Sequence, residues 1–231
     1  MPNIKVLDFG GSIVAPDEVD TAFIKEFKVF LTKWLDEDKD NKAIIVIGGG
    51  APARKYQQAY REIISDSDDN EADWIGIMAT RINAQLIKAV FSEYCPQDVV
   101  TDPTAPESFE GRVMVAAGWK PGWSTDYDAV VLAEKFSADT VYNLSNIAKV
   151  YTDDPKKNPD AKPLDYVSWD DYKKMAGDEW TPGKNVPFDP VATKKAAELN
   201  LQVIAAAGKD LDNLQKIFDG GDFIGTVIGR K

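Results

Sequence analysis

Histidine is absent from this 231-residue chain, and cysteine occurs once, at Cys95. The first absence excludes Ser-His-Asp catalysis, His-ligated zinc and imidazole acid–base chemistry. The second excludes an intrachain disulfide and a Cys-rich metal site. Positive charge is scarce: 27 Lys and Arg stand against 38 Asp and Glu, a net charge of −11. So acidic a chain repels phosphate at long range and suits nucleic acid poorly, although a local basic spot can hold a small anion. Long apolar runs are missing as well. The longest have five residues, as at Ala43–Ile47, whereas a membrane-spanning helix needs roughly 18. The amino-terminal MPNIKVLDFGG has no apolar signal-peptide core. The expectation is a soluble, cytoplasmic protein with neither a membrane nor a nucleic-acid partner.

What is present is ordinary globular material, 44% hydrophobic and 28% charged, of a size that one core can serve. Residues 4–9 read as a short buried strand ending in Gly10-Gly11-Ser12. Phe23, Ile24, Phe27, Phe30, Leu31, Trp34 and Leu35 recur at helical spacing and form one wide apolar face. A β-branched strand over 43–47 ends in Gly48-Gly49-Gly50, and a helix follows through Ala53, Tyr56, Tyr60 and Ile63. Residues 65–73 are acidic and read as a solvated loop. A helix then carries Ile75, Met78, Ile82, Leu86 and Val90 on one side. Further strands are read over 113–117, 140–144, 202–206 and 226–228, with helices over 127–136, 189–199 and 211–218 and a proline-rich loop over 152–166. Alternating strands and helices imply an α/β fold with a mostly parallel sheet covered on both faces.

In such sheets ligands bind beyond the carboxyl ends of the strands. Three strands here end in glycine: at Gly10-Gly11-Ser12, at Gly48-Gly49-Gly50, and at Gly118 before Trp119-Lys120-Pro121-Gly122-Trp123-Ser124-Thr125. Glycine lets backbone amides approach a phosphate, and the helix N-termini behind these turns add partial positive charge. Three such turns at one sheet edge point to more than one phosphate group. Gly48–Ala53 also fits the dinucleotide pattern G-x-G-x-x-G/A, but that fingerprint needs a second strand ending in an acid about 20 residues on. Here an acidic run, Ser65 to Asn70, follows a helix instead. A Walker-type loop is absent.

At these turns the chain resembles the amino-acid-kinase superfamily, most closely the archaeal-type uridylate (UMP) kinases, over essentially its whole length. The motifs are Val6-Leu7-Asp8-Phe9-Gly10-Gly11-Ser12, Val46-Ile47-Gly48-Gly49-Gly50 with Ala53-Arg54-Lys55-Tyr56, Asp73-Trp74-Ile75-Gly76, Thr80-Arg81-Ile82-Asn83, Pro121-Gly122-Trp123-Ser124-Thr125-Asp126, Val150-Tyr151-Thr152-Asp153-Asp154 and Asp189-Pro190-Val191-Ala192. The resemblance implies a three-layer α/β/α sandwich that transfers the γ-phosphate of ATP to UMP, with Mg²⁺ held mainly through the ATP phosphates, usually as a homohexamer. It implies one domain over 1–231, with the acceptor half at about 1–135 and the ATP half at about 136–231. By position, Gly11 and Ser12 would meet the ATP phosphates, Gly49 the UMP phosphate and Gly50 the ATP. Arg54 would contact phosphate and Asp73 the UMP ribose. The loop of Gly118, Trp119, Lys120, Pro121, Gly122, Trp123 and Ser124, with Thr125, would wrap the uridylate. Asp126 would organise the reacting groups, and Ser145, Tyr151 and Asp154 would hold the adenosine. The lack of histidine does no harm, because a phosphate monoester, with its second pKa near about 6, is already anionic at neutral pH. It also sets the chain apart from the isopentenyl-phosphate-kinase branch, which uses a histidine at its acceptor site.

Three features depart from the superfamily pattern. Asp8 stands where many members carry the lysine of K-x-G-G-S, as it does in archaeal-type UMP kinases, so a cation must come from Arg54, Lys120 or Lys184. Trp119 and Trp123 stand in the acceptor loop. Ala148-Lys149-Val150-Tyr151 replaces the more usual D-G-V-Y. These changes leave two alternatives open: a non-catalytic nucleotide- or anion-binding member of the superfamily, and a kinase for another small acceptor. The run Asp66, Asp68, Asp69 and Glu71 reads as solvated, Phe23, Phe27 and Phe30 as core, and Cys95 as structural.

Overall fold

The computed structural model describes residues 2–177 and 186–230. Among these, seven strands form one sheet in the order β3-β2-β1-β4-β6-β7-β5. The strands are β1 (Asn3–Phe9), β2 (Asn41–Ile47), β3 (Val113–Ala117), β4 (Thr140–Ser145), β5 (Tyr166–Val167), β6 (Gln202–Ala207) and β7 (Thr226–Gly229). β1 pairs in parallel with β2 and β4, β2 with β3, and β4 with β6. The carboxyl ends of all five strands therefore share one edge. Only β7 runs against its neighbour β6, and β5 follows β7 in parallel.

Side-chain alternation splits the core in two. Leu7, Phe9, Ile45, Ile47, Leu144 and Ala206 face one layer of helices: α2 (Thr21–Glu37), α4 (Asp69–Val90) and α8 (Leu211–Phe218). Val6, Ile44, Val46, Val141 and Val203 face the other: α5 (Thr125–Lys135), α6 (Trp169–Ala176) and α7 (Pro190–Glu198). The result is the expected three-layer α/β/α sandwich. Phe9 packs edge-on to Phe27 with ring centroids 4.8 Å apart, anchoring the end of β1 just before its glycine turn. Cys95 is buried and unpaired, and burial pushes its thiol pKa up.

Several boundaries differ from the sequence reading. The acidic segment is not all loop: the Asp68 side chain accepts from the Glu71 amide and caps α4, whose first turn contains Asp69 and Glu71. Carboxylates there complement the positive end of the helix. The apolar side of α4 is not the one read from the sequence, since Ile77 and Ile87 rather than Met78 and Ile82 turn inward. Met78 and Ile82 are 58% and 69% exposed, while Ala72, Ile77, Ala79, Ala84 and Ile87 are buried. Three short elements were not anticipated: α1 (Gly11–Val14), β5 and α6. A short turn segment, with no strand in it, joins the 14-residue α3 (Gly50–Ile63) to α4, as the rejection of a dinucleotide fingerprint requires.

Candidate active site

The turn after β1 and the turn after β2 touch backbone to backbone. A Cβ placed on Gly11 would lie 1.9 Å from the Gly50 amide nitrogen and 2.6 Å from the Gly48 carbonyl carbon. Gly50 itself has φ +66°, and a Cβ there would come within 2.5 Å of the Gly11 and Ala15 carbonyl oxygens. Only glycine satisfies both demands. The Gly10 and Gly48 amides are used internally, donating to the carbonyls of Leu144 and Phe9. The amides of Gly11, Ser12, Gly49 and Gly50 donate to no backbone or side-chain group of the described residues. Those of Gly49 and Gly50 sit at the N-terminus of α3, where such groups favour an anion.

The third turn is tied to the second through α4. Thr80 Oγ1 donates to the Ile77 carbonyl at 2.7 Å and accepts from the Gly118 amide at 2.8 Å. Asn83 Nδ2 donates to the carbonyls of Gly48 and Gly49 at 3.0 and 3.2 Å. Both side chains are buried, so each bond replaces water for groups that would otherwise lose it. A Cβ on Gly118 would meet Thr80 Oγ1 at 3.0 Å, which shows how closely this turn sits on the helix. Arg81 Nη2 donates to the Trp119 carbonyl at 3.1 Å, and its guanidinium lies 5.8 Å from the Trp74 ring centroid. The three glycine turns thus form one rim.

The acceptor loop is a run of aromatic rings. Trp119 and Trp123 lie 5.8 Å apart, and Trp123 and Tyr127 4.2 Å apart, between centroids. The Lys120 ammonium sits over the Trp119 ring at 3.8 Å. Both tryptophans keep partial exposure. Asp73 Oδ2 accepts from the Gly122 amide at 3.0 Å, so part of its capacity holds the loop. Ser124 caps α5 by accepting from the Tyr127 amide, and Thr125 and Asp126 follow at the start of that helix.

Beneath the rim is a nest of acids. Asp8 is 2% exposed, and neither of its carboxylate oxygens has a donor among the described residues. Asp126 Oδ2 accepts from the Asp189 amide at 2.7 Å, and Asp189 in turn caps α7 by accepting from the Val191 and Ala192 amides. Asp128 is fully buried and accepts from the Trp119 amide at 3.2 Å. Burial raises the pKa of every one of these carboxyls. Asp8 goes well above the usual range, with the neighbouring Asp126 charge adding to the effect. Asp126 rises to about 6, limited by the amide it accepts from Asp189, and Asp128 to about 8.

The remaining expected residues are more dispersed. Ser12 Oγ accepts from Asn146 Nδ2 at 2.9 Å, joining the β1 and β4 turns, and Ser145 adjoins Gly10. Arg54 is exposed on α3 and makes no hydrogen bond or ion pair among the described residues. Tyr151 bridges to Pro163, and Asp154 accepts from the Lys156 amide within the same loop. No described contact links Tyr151 or Asp154 to the glycine rim. Lys184 lies outside the described residues. Sequence reasoning gave no role to Lys209, just past β6 and paired with Asp20 at 2.5 Å, nor to Asn146, Asp128 or the side chain of Asp189. Thr80 and Asn83 were visible in the sequence only as parts of a motif. Among the described residues no three His, Cys, Asp or Glu side chains are arranged to hold a metal ion.

Comparison with known proteins gives this geometry a lineage. Residues 3–205 match the model of the amino acid kinase family. A uridylate kinase of Methanospirillum hungatei JF-1 is 34% identical over 235 residues, covering 100% of this chain and 96% of that protein. One from Thermococcus sibiricus is 36% identical over 230 residues, covering 96% and 98%. The crystal structure of uridylate kinase from Archaeoglobus fulgidus superposes with a TM-score of 0.81 at 31% identity, covering 97% of this chain and 100% of that one. The UMP kinase of Bacillus anthracis, at 21% identity and a TM-score of 0.76, shares the fold. With its three glycine turns gathered on one parallel-sheet edge and its whole length matched, the chain belongs to the amino acid kinase family.

Proposed function

We propose that the chain transfers the γ-phosphate of ATP to UMP, giving UDP and ADP. The observation that carries this reading is the contact between the Gly11 and Gly48–Gly50 turns, where the amides of Gly11, Ser12, Gly49 and Gly50, without partners among the described residues, point to two phosphate groups held close together. The names of the similar proteins supply the identity of the two nucleotides.

In the proposed reaction an oxygen of the UMP phosphate attacks the γ-phosphorus of ATP. A new P–O bond forms, the bond to the bridging β–γ oxygen breaks, and ADP leaves with that electron pair. The attacking oxygen is already anionic at neutral pH, so no residue must remove a proton. Rate enhancement then rests on alignment and charge neutralisation. Gly11, Ser12 and Gly50 would hold ATP phosphates and Gly49 the UMP phosphate. The Trp119 and Trp123 rings offer stacking surfaces for the uracil, and Asp73, with one oxygen on Gly122, keeps the other for the ribose. Arg54, unpaired one turn into α3, and Lys120 are the cations for developing charge, with Lys184 a further candidate by sequence. Asp126 would organise the reacting groups. Ser145, Tyr151 and Asp154 would serve the adenosine in an ATP half spanning about 136–231, opposite an acceptor half spanning about 1–135. Mg²⁺ would enter on the ATP phosphates, since it keeps waters and needs few protein ligands.

The reading includes assembly of several copies, hexameric by analogy, in the cytoplasm. Support for assembly comes from the exposed apolar side chains Tyr56, Ile63, Met78 and Ile82 on α3 and α4, the kind of surface that a second copy covers. The test of activity is a coupled assay for ADP release with UMP, CMP, dUMP and GMP as acceptors. Saturable release that depends on UMP supports the proposal, and no turnover with any acceptor defeats it.

A further inference from the structure

Among the described residues Asp8 is a buried carboxyl with no donor, and its surroundings make that costly. Strand alternation turns it to the same side as Val6 and Val46, toward α5. The charges that act on it most strongly are all negative: Asp126 and Asp128 from α5, and Asp189 from the cap of α7. Its neighbour across β4, Asn143, gives its amide to the Pro187 carbonyl at 2.8 Å. Tyr172 of α6 faces Asp126 and Asp189, but its hydroxyl donates to the Phe188 carbonyl and accepts the Phe188 amide. The Asp126 carboxyl lies within hydrogen-bonding reach of Asp8, while one of its oxygens is taken by the Asp189 amide. Two carboxyl groups so placed cannot both ionise cheaply, and a single proton between them satisfies both.

We propose that Asp8 is a positioning residue whose carboxyl holds that proton and donates it to Asp126, fixing the Asp126 carboxylate at the start of α5 beside the acceptor loop. Two donors then hold Asp126: the Asp8 hydroxyl from the sheet and the Asp189 amide from α7. The shared proton also removes one negative charge from beneath a rim that must accept phosphates. The order of the pair follows burial, because Asp8 is the more enclosed and Asp126 the more open to solvent. The consequence for catalysis rests on the kinase reading above, whereas the proton itself does not.

The test compares Asp8→Asn and Asp8→Ala with the wild type, by pH profiles of kcat and by carboxyl-carbon NMR of the aspartates. An asparagine amide can donate to Asp126 in place of the hydroxyl. The wild type should lose rate when the proton leaves at alkaline pH, whereas Asp8→Asn should keep most of kcat and show no such fall. Asp8→Ala should lower kcat by about 100-fold, the scale of a misplaced catalytic group, with little change in either KM. The wild-type Asp8 resonance should remain that of a protonated carboxyl at pH 7. An ionised Asp8 at pH 7 would overturn the proposal, as would an Asp8→Asn variant as inactive as Asp8→Ala or one that keeps the alkaline fall. Broadening of the pair's resonances by Mn²⁺ alone would also overturn it, since a cation would then fill the proton's place. The NMR titration reads the proton whether or not UMP is phosphorylated, so a failure here and a failure of the kinase reading give different results.

Discussion

Two adjacent glycines provide a sharp test of why the first turn is built as it is. Gly10 and Gly11 differ by one position, and neither has a positive φ. A Cβ on Gly10 would meet nothing closer than the Leu144 carbonyl oxygen at 3.6 Å, which is ordinary contact. On Gly11 it would lie 1.9 Å from the Gly50 nitrogen. Backbone cannot rotate away as a side chain can, so Gly11→Ala must drive the two turns apart by about 1 Å, a displacement that costs on the order of 100-fold in rate at a reacting centre. That corresponds to about 2.7 kcal/mol of transition-state stabilisation. Overpacking should also cost about 1–3 kcal/mol of stability, read as a lower urea midpoint at unchanged slope. Gly10→Ala should be near neutral in both measurements. Rates of ADP release at saturating UMP and MgATP, with urea unfolding of the same preparations, make the comparison. A Gly11→Ala enzyme within about twofold of wild type would refute the claim that the contact of the two turns sets the distance between donor and acceptor.

Other consequences follow from the charges and surfaces. Arg54→Ala should cost about 3–4 kcal/mol in kcat/KM, as the loss of a donor to developing charge does, with folding unchanged because its side chain is exposed and unpaired; initial rates and a melting curve check both parts. Asp128 ionises in the unfolded chain near the ordinary carboxylate value and in the folded chain only near 8, so its contribution makes stability fall as pH rises from about 4 to about 8. Asp128→Asn should remove that slope and stabilise the protein by up to about 5 kcal/mol at pH 8 but hardly at all at pH 4, measured by urea unfolding at each pH. Ile82→Glu places a charge on the exposed apolar face of α4 and should shift the mass measured by light scattering toward single chains, leaving far-UV dichroism unchanged.

Much of the fold was legible because burial imposes periodicity. The Phe23–Leu35 face of α2 and the β-branched run of β2 carry strong patterns, and both elements lie where the pattern put them. The failures have physical reasons. Asp68, Asp69 and Glu71 read as loop because acids are soluble, yet acids also belong at a helix start. The inner face of α4 sets small residues such as Ala72, Ala79 and Ala84 beside Ile77 and Ile87, while Met78, Ile82 and Leu86 lie exposed on the outer face, so two apolar stripes compete in the sequence. The reversal of β7 leaves no local signal at all. At the site, the glycines announced the turns, but the contacts that gather them do not show in the sequence. Thr80 reaches Gly118 and Asn83 reaches Gly48 across 38 and 35 positions, through bonds from side chain to backbone. Asp8 was visible as a departure from a lysine pattern, while its company of Asp126, Asp128 and Asp189 emerged only when β1, α5 and α7 came together.

The central claim is that two phosphate chains lie side by side on the free amides of the β1 and β2 turns. Amide NMR of the glycines reads this directly, during titration first with UMP and then with a non-hydrolysable ATP analogue and Mg²⁺. The account predicts that UMP moves the Gly49 resonance, that the ATP analogue then moves Gly11, Ser12 and Gly50, and that both ligands stay bound together. Displacement of one ligand by the other, or shifts that leave these four amides untouched, would contradict it.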